Sequence, residues 1–463
     1  MLKFKNSLTG NIEEFAPIEK DHVRMYNCGP TVYDYVHIGN LRSFILADLL
    51  RRVFLFDNYT VTQVMNITDV GIGGDNDEGE DKIIKGLKRE GKEISLESMK
   101  ELTSFYTEAF QSDLKKLNIL TPEFFPKASE HIDEDIELIT ILEQKGFAYQ
   151  TSDGVYFDTS KDEDYGKLGG IGREDDIARV EENSEKKNRR DFALWKKNHS
   201  IGYPSPWGQG FPGWHIECSA MSRKYLGDHF DVHTGGIDLA PIHHNNEIAQ
   251  SESACDCAFV NYWIHNAFVN VESGKMAKSE GNTLTLNALI EKGFSPLAYR
   301  YWLLQAKYNT PVSFSFESLE AAQVAYEKLL RQFHSLGEEI GSVDSKYKNE
   351  FTECIDDELN TPKALALAWD VLKDEDLKPS DKKATLLEFD KVFGLSLDVS
   401  DFLDDLREIP IEELPENIQK LIKNRALARE EKDWEKSDEI REILKNSGYE
   451  IKDSEDGQKI SLL

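Results

Sequence analysis

The spacing of apolar and polar residues near the start of the chain predicts a strand, a helix and a second strand. Residues 23–28 (VRMYNC) resemble a buried strand, and residues 41–54 (LRSFILADLLRRVF) have the apolar spacing of a helix that covers a sheet. Residues 59–68 (YTVTQVMNIT) are rich in β-branched side chains, which favours a second strand. This order is typical of the opening of a nucleotide-binding α/β domain.

The middle of the chain departs from that alternation. A helical stretch is predicted from about 93 to 147. Residues 149–195 combine a hairpin-like segment, a glycine-rich segment and a basic, aromatic segment, which we interpret as an insertion in the nucleotide-binding fold. A helix is predicted at 213–227, a strand and turn at 228–236, and a further helix at 243–255.

After residue 317 the pattern is helical. Residues 318–336 have apolar side chains at helical spacing, and Pro362 fits the first turn of a helix over 360–372. The acidic segment near 401–416 is typical of a linker. Residues 417–448 then predict two short helices, the second ended by Gly448.

Length and composition limit the class of protein. A chain of 463 residues is too long for one simple core and suggests two to four domains. It contains neither a run of about 20 apolar residues nor an N-terminal signal pattern, so we expect a cytoplasmic protein without a membrane role. Its 5 cysteines are too few and too scattered for a disulfide framework, which leaves metal-binding or reactive roles open.

The net charge makes nucleic-acid binding a weaker expectation. The chain has 55 basic and 85 acidic residues and a formal charge of −30. Contacts with phosphates require local positive potential, so this balance counts mildly against a nucleic-acid partner. A basic face on an acidic protein would still permit one.

Two segments resemble phosphate-binding elements. His37, Gly39 and Asn40 lie where the first strand gives way to the helix, and backbone N–H groups at a helix start bind anions. Lys275 and Lys278 lie in a glycine-flanked loop that suits the charge of a triphosphate. Taken alone, each element favours a bland role, the first as a helix start with a surface histidine and the second as a solvated basic turn.

A third set of residues has the chemistry of a metal site. Cys28 follows the first strand, Cys218 lies in WHIEC, and His243 and Glu247 are four positions apart in HHNNE, on one face if that segment is helical. Thiolate, imidazole and carboxylate groups are all good zinc ligands. Singly, the cysteines could be small core residues and the histidine a satisfied polar group. Together they favour zinc.

The order of these motifs along the chain resembles that of the cysteinyl-tRNA synthetases of bacterial type. These enzymes are a family of class I aminoacyl-tRNA synthetases. The matching segments are CGPTVYD (28–34), HIGN (37–40), NITD (66–69), DFALWK (191–196), GWHIECSAM (213–221), HHNNE (243–247), NYWIHN (261–266), KMAKS (275–279) and NTPKAL (360–365). The resemblance covers about residues 20 to 450 and is highly specific, because GWHIECSAM and HHxNE distinguish this family from other class I synthetases.

The resemblance implies a role for each candidate residue. Cys28, Cys218, His243 and Glu247 would hold one Zn²⁺ per subunit, with the substrate thiolate joining the metal. Gly29, Thr68, Trp214 and His233 would surround the bound cysteine. His37, Gly39, Asn40, Lys275 and Lys278 would handle ATP.

The implied reaction has two steps and no covalent enzyme intermediate. L-cysteine and ATP, accompanied by Mg²⁺, form cysteinyl-adenylate, and the cysteinyl group is then transferred to the 3′ end of tRNA-Cys. Zinc would prefer the thiolate and so reject serine, which a steric pocket cannot exclude. The default expectation for the oligomeric state is a monomer.

The expected architecture is α/β: a Rossmann-like catalytic domain with an insertion, an all-α bundle and a small C-terminal α+β module. The expected divisions are 1–120 and 196–260 for the two catalytic halves, 121–195 for the connective insertion, 261–316 for the lysine loop and stem-contact region, 317–404 for the helical bundle, and 405–463 for the anticodon-binding module.

Several departures from the family pattern leave alternatives open. Asn40 replaces the usual histidine, Ala277 replaces a serine, the segment after Thr68 is long, and a C-terminal tryptophan is lacking. One alternative is a ligase that passes cysteine to a sugar amine, as in the mycothiol pathway, although the helical region after 317 argues against it. The other is a non-catalytic tRNA-binding paralogue.

Overall fold

The structure is a computed structural model that describes residues 1–70, 81–169, 185–271, 274–275, 284–399, 411, 414–454 and 457–462. The strands are β1 (Lys3–Lys5), β2 (Ile12–Glu14), β3 (His22–Asn27), β4 (Thr60–Met65), β5 (Ala148–Gln150), β6 (Gly154–Phe157), β7 (Phe192–Lys197), β8 (Gly210–Pro212), β9 (Phe230–Gly236), β10 (Val260–Asn266), β11 (Val269–Val271), β12 (Gly274–Lys275), β13 (Val312–Phe314), β14 (Tyr449–Ser454) and β15 (Gly457–Leu462). The helices are α1 (Ile38–Phe56), α2 (Lys82–Arg89), α3 (Leu96–Lys116), α4 (Ile132–Gln144), α5 (Ile216–Leu226), α6 (Asn245–Cys255), α7 (Leu286–Glu291), α8 (Pro296–Leu304), α9 (Phe316–Ser335), α10 (Ser345–Asp356), α11 (Thr361–Lys373), α12 (Pro379–Phe393), α13 (Glu416–Glu430) and α14 (Trp434–Asn446). None of these helices is long and apolar enough to cross a bilayer.

A parallel sheet positions the candidate site. Its strand order is β10-β9-β3-β4, and every neighbouring pair is parallel. The chain leaves β3 through α1 towards β4 on one side, whereas it leaves β9 through α6 towards β10 on the other side. The connections therefore diverge between β3 and β9, which is the point where ligands bind at the carboxyl ends of the strands in open α/β sheets.

Helix α1 is held against this sheet along most of its length. The helix buries Leu41, Phe44, Leu49 and Val53, among others, which agrees with the predicted covering helix. Arg42 is also buried, and its guanidinium donates to the carbonyls of residues 267 and 268 at 2.9 Å each. The start of α1 is thereby fixed beside the segment that follows β10.

The other sheets among the described residues are antiparallel or mixed. The antiparallel sheet β5-β6-β7-β8 lies between α4 and α5 in the chain, where the sequence predicts an insertion. A further sheet has the order β12-β11-β13. The C-terminal hairpin β14-β15 and helices α13 and α14 share a separate apolar cluster, whose buried members are Leu414, Ile418, Ile422, Ile440, Leu444, Ile451 and Ile460.

The predicted helix from about 93 to 147 is wrong in its middle. The structure has α3 and α4 instead, separated by residues 117–131. Asn118 adopts a left-handed conformation with φ 52, and Pro122 and Pro126 lack the N–H that a helix needs. The intervening chain is extended and pairs with the end of β4, where the N–H of Met65 donates to the carbonyl of Phe124 at 3.0 Å. Long-range pairing therefore overrides local helical propensity here.

A buried charge cluster joins α1 to the helices that follow the sheet. Asp48 accepts from Arg52 at 2.8 Å and from Arg300 of α8 at 2.5 Å. Arg300 also donates to the carbonyl of Phe393, the last residue of α12, at 2.6 Å and to that of Leu117, which directly follows α3, at 3.1 Å. Burial would raise the pKa of Asp48, but the charges of Arg300 and Arg52 outweigh it and hold that pKa below its usual value.

Replacement of Asp48 tests whether this cluster stabilises the fold. Asp48→Asn leaves the buried Arg300 without its counter-ion, so we expect a loss of about 3–5 kcal/mol in the free energy of unfolding, measured in urea at neutral pH. Because the pKa of Asp48 is depressed in the folded state, its contribution is present above the unfolded pKa, and the difference from wild type should shrink as the pH falls through the folded pKa.

The matched control is Asp228→Asn. Asp228 pairs with Arg223 at 2.7 Å, but the two side chains are 49% and 33% exposed, so a change of about 0–1 kcal/mol is expected. Equal losses in the two variants would mean that the Asp48 cluster has no special role in stability.

Candidate active site and metal centre

Four donor groups from three separate parts of the chain meet at the carboxyl edge of the parallel sheet. Cys28 directly follows β3, Cys218 lies in the first turn of α5, and Glu247 lies in the first turn of α6. His243 belongs to a π-helical turn, Ala240–His244, that leads into α6. The four candidate ligand atoms all lie within 4.8 Å of one another, so the four residues that the sequence predicts are brought together.

The donor set fits a divalent metal ion. In a tetrahedral zinc site the metal lies roughly 2.0–2.3 Å from each ligand atom, which separates the ligand atoms by well under 4.8 Å from one another. Two sulfurs, one imidazole nitrogen and one carboxylate oxygen are the ligand types that zinc takes. The residues present could therefore hold a metal with small adjustments of their side chains.

The pKa shifts of the four donor residues fit a site that binds a cation. Burial raises the pKa of the Cys28 thiol to about 11. The adjacent Cys28 sulfur, together with burial, raises the pKa of Cys218 well above its usual value. Burial opposes charge on both members of the His243–Glu247 pair, yet His233 and His243 lower the pKa of Glu247 to about 2, and Cys218 and Glu247 raise that of His243 to about 10. A metal ion would stabilise the thiolate forms and compete for both partners of this ion pair.

A second donor set overlaps the first. Cys28, His233, His244 and Glu247 also have candidate ligand atoms within 4.8 Å of one another. His244 Nε2 lies 3.3 Å from the Cys28 sulfur, and His233 Nε2 lies 2.9 Å from a Glu247 oxygen. The two sets share Cys28 and Glu247 and differ in the other two ligands.

Buried aromatic rings hold the histidines in place. The ring of His233 stacks on Trp263 with centroids 4.4 Å apart. His215 Nδ1 lies 2.8 Å from His243 Nδ1, which turns Nε2 of His243 towards Glu247 at 3.0 Å. His244 Nδ1 lies 2.7 Å from His265 Nε2, which turns Nε2 of His244 towards the Cys28 sulfur. His215, His244 and His265 lie within the motifs WHIEC, HHNNE and NYWIHN, but the sequence assigns no role to any of the three.

A cavity of about 310 Å³ opens next to the cluster. Its wall includes Cys28, Gly29, Trp214 and the start of α1 with His37, Gly39 and Asn40. Of the four donors, only Cys28 lines this cavity. His233, which contacts Glu247 at 2.9 Å, is fully buried and does not line it either.

At the start of α1, a side chain already binds one of the backbone N–H groups. His37 is the N-cap residue, and its Nδ1 accepts a hydrogen bond from the backbone N–H of Asn40 at 3.1 Å. This bond fixes the imidazole against the first turn. His37 and Asn40 both line the cavity, so this turn can contact a ligand there.

The loops after β3 and β4 touch each other through Gly29. The Gly29 N–H donates to the Asn66 side chain at 2.8 Å, and the Asn66 amide donates to the Thr68 hydroxyl at 3.0 Å. A Cβ at position 29 would lie 1.6 Å from the Asn66 carbonyl oxygen, so only glycine allows this approach. The contact fixes Gly29, which lines the cavity next to Cys28.

The lysine loop is only partly described. Lys275 contributes its backbone to β12, which pairs with β11, but its side chain and the whole of Lys278 lie outside the described residues. Asn270 of β11, the partner of Lys275 in that pairing, follows directly on Val269, which lines the cavity. The segment that leads into the loop therefore starts at the cavity wall.

Two further pairs of residues were not anticipated. Glu217 and Asp135 are fully buried with no hydrogen-bond partner for their carboxylates among the described residues, and burial raises the pKa of Glu217 to about 8. Cys255 and Cys257 form a local disulfide at the end of α6, although the 5 scattered cysteines predict no disulfide framework.

Two family models match this chain. Residues 14–324 match the model described as the tRNA synthetases class I (C) catalytic domain. Residues 412–460 match the cysteinyl-tRNA ligase anticodon binding domain.

Curated relatives match along nearly the whole chain. A protein of Burkholderia lata named cysteine–tRNA ligase 1 is 43% identical over 457 residues, covering 97% of this chain and 94% of its own length. A cysteine–tRNA ligase of Treponema denticola is 41% identical over 487 residues, covering 98% of both chains.

Solved structures with lower identity share the fold. Methionyl-tRNA synthetase of Mycobacterium tuberculosis, in complex with methionyl-adenylate, matches with a TM-score of 0.54 and 14% identity, over 81% of this chain and 90% of that one. The ternary complex of Agrobacterium radiobacter LeuRS matches with a TM-score of 0.57 and 11% identity, over 83% and 85% of the two chains. The architecture predicted for the catalytic region is thus confirmed as that of class I synthetases.

Removal of a shared ligand tests the metal site. Cys28→Ala deletes a thiol common to both donor sets, so the purified variant should retain less than about a tenth of the metal that wild type binds, measured by elemental analysis after dialysis. Cys354→Ala is the control, because Cys354 is also buried but lies in α10 away from the cluster. Full metal content in Cys28→Ala would make Cys28 a core residue only.

The same measurement separates the two donor sets. If Cys218 and His243 are ligands, Cys218→Ala should lose metal while His244→Asn keeps most of it. The reverse result would assign the metal to His233 and His244.

Proposed function

The chain belongs to the cysteine–tRNA ligase family, and we propose how its own residues perform the reaction of that family, the ATP-dependent attachment of L-cysteine to tRNA-Cys. The observation that carries the proposal is the convergence of two thiols, an imidazole and a carboxylate, one of which, the Cys28 thiol, lines a cavity that also contains the start of α1. The match of residues 412–460 to an anticodon binding domain favours tRNA as acceptor over a sugar amine.

We propose that Cys28, Cys218, His243 and Glu247 hold the metal and that the metal is zinc. Two sulfur donors in this set, against one in the alternative set, favour a metal that prefers thiolates. His215 supports the assignment because its contact with Nδ1 leaves Nε2 of His243 for the metal side. His233 and His244 then act as supporting groups for Glu247 and Cys28.

Zinc bound here would supply a soft Lewis acid that holds the substrate sulfur as a thiolate and discriminates against the serine hydroxyl. The residues of the chain position the rest of the amino acid. Gly29 and Trp214 line the cavity beside the cluster, and Thr68 is tied to Gly29 through Asn66. We propose that Trp214 packs on the bound cysteine and that Gly29 and Thr68 fix the near wall, with His233 acting from behind Glu247.

The first step joins the two substrates at the start of α1. A carboxylate oxygen of cysteine attacks the α-phosphorus of ATP, and the bond to pyrophosphate breaks, with Mg²⁺ accompanying the nucleotide. We propose that His37 and Asn40 contact the phosphates, that Gly39 allows their close approach, and that Lys275 and Lys278 stabilise the charge on the leaving pyrophosphate. The capped geometry of His37 supports this, because its hydrogen bond with Asn40 holds the ring at the cavity wall.

The second step transfers the cysteinyl group to tRNA. A hydroxyl oxygen of the 3′-terminal ribose attacks the carbonyl carbon of the adenylate, the hydroxyl proton is released, and AMP leaves. We propose that residues 317–404 contact the anticodon stem and residues 405–463 read the anticodon, with 1–120 and 196–260 as the catalytic halves, 121–195 as the insertion and 261–316 as the link to the stem. A cytoplasmic monomer is the proposed working form.

Amino-acid selectivity tests the function and the zinc together. Pyrophosphate exchange into ATP should proceed with cysteine and be slower with serine by about 10⁴-fold or more in kcat/KM, because serine leaves the metal without its sulfur ligand. Removal of the metal by a chelator should abolish the cysteine reaction, and zinc should restore it. Equal exchange with serine, or full activity without metal, would contradict the zinc account.

Truncation after Val399 tests the role of the C-terminal module. That module has its own apolar cluster, so its removal should leave the larger core intact. Cysteine-dependent pyrophosphate exchange should stay within about twofold of wild type, while kcat/KM for tRNA-Cys should fall by about 100-fold or more, because the anticodon contacts are lost. Equal losses in the two assays would give the module a purely structural role.

A further inference from the structure

We infer that Lys82 binds the carboxylate of the substrate cysteine and positions it for attack on ATP. The inference rests on the proposed function, because it concerns the same cavity, and it adds a residue to which neither the motifs nor the comparisons assign a role.

Helix α2 is fixed tightly against the cavity loop. Asp81 caps the helix by accepting from the backbone N–H of Ile83 at 2.6 Å. Arg89 at the other end donates to the carbonyl of Tyr33 at 2.8 Å and pairs with Asp34 at 2.9 Å. A Cβ at Gly86 would lie 3.0 Å from the same Tyr33 carbonyl. The first residue of α2 is therefore held in a defined place relative to the loop that follows β3.

That first residue, Lys82, lies on the wall of the cavity. Its side chain is half-buried, and its Nζ lies 4.7 Å from the centre of the Trp214 ring. The Trp214 ring in turn lies 4.8 Å from the His243 ring, centre to centre. An amino acid whose sulfur is held at the cluster and whose chain lies along Trp214 would bring its carboxylate towards Lys82.

The charge of Lys82 suits that carboxylate. Among the described residues that line the cavity, Lys82 has the only full positive charge, and Asp238 has the only full negative one. The first reaction step brings two anions together, the cysteine carboxylate and the α-phosphate. An ammonium group beside the carboxylate binds it and offsets part of this repulsion in a half-buried setting.

The cation–π contact also gives Lys82 a resting position. An ammonium over the face of an indole ring is attracted by it, so the side chain stays at the wall before substrate arrives. A carboxylate that enters along Trp214 then meets a cation already in place. Lys82 is thus a substrate-binding and positioning residue that acts separately from the metal cluster.

The test compares cysteine with cysteamine, which has the thiol and the amine but no carboxylate. In Lys82→Met the KM for cysteine in pyrophosphate exchange should rise by about 10- to 100-fold, as expected for the loss of a charge-assisted hydrogen bond. The inhibition constant of cysteamine should stay within about twofold, since its sulfur contact is untouched, and the metal content should equal that of wild type. Lys82→Arg should recover most of the affinity for cysteine.

Lys85→Met is the matched control, because Lys85 lies in the same helix with an exposed side chain and is not among the residues lining the cavity. It should behave as wild type. An unchanged KM for cysteine in Lys82→Met would overturn the inference. So would an equal weakening of cysteine and cysteamine, which would mean that Lys82 only shapes Trp214.

Two further outcomes are distinguishable. If Lys82→Met does not fold, Lys82→Gln and Lys82→Arg replace it, and equal KM values for cysteine in those two would overturn the inference. If the wild-type chain itself shows no cysteine-dependent exchange, the proposed function fails, and the inference, which rests on it, falls with it.

Discussion

The burial of two thiols and a carboxylate side by side is the constraint on which the site depends. Cys28, Cys218 and Glu247 are nearly inaccessible to water, and groups of this kind are stable together only when protonated, paired with a cation or bound to a metal. Within the described residues, His243 and His233 supply part of the compensation through their contacts with Glu247. A divalent cation would complete it, since it would favour both thiolates and the carboxylate at once. With a metal bound, the site would be selective for a thiol, because a substrate thiolate would be one more ligand of the kind that the cluster already contains.

The groups meet between β3 and β9, where the connections to the next strands diverge to opposite sides of the sheet. Cys28 ends β3, and the turn that contains His243 follows β9, its neighbour in the sheet. Helix α1 starts from the same edge and is fixed at Arg42 by backbone carbonyls and at Asp48 by the buried charge cluster with Arg300. The first turn of α1 and the donor cluster therefore belong to one rigid unit, to which α8 and α12 are attached through Arg300.

Much of this arrangement could be predicted from the sequence. The strand, helix and strand around residues 23–68 follow from local periodicity, and the four donors follow from ligand chemistry combined with motif order. What could not be predicted depends on contacts between distant segments. The break between α3 and α4 arises from pairing with β4, the partner of Arg300 lies 252 positions away along the chain, and His233 proved to lie behind Glu247. Lys82 follows a segment that departs from the family pattern, and the role inferred for it depends on its position over Trp214.

The central claim is that this cluster binds zinc and that the zinc binds the sulfur of the substrate. X-ray absorption at the zinc edge of the metal-loaded protein tests it most directly, with cysteine and then serine added. The account predicts two sulfur ligands at about 2.3 Å without substrate, a third sulfur at a similar distance with cysteine, and no change with serine. A spectrum that cysteine leaves unchanged, or one without sulfur in the resting state, would contradict the account.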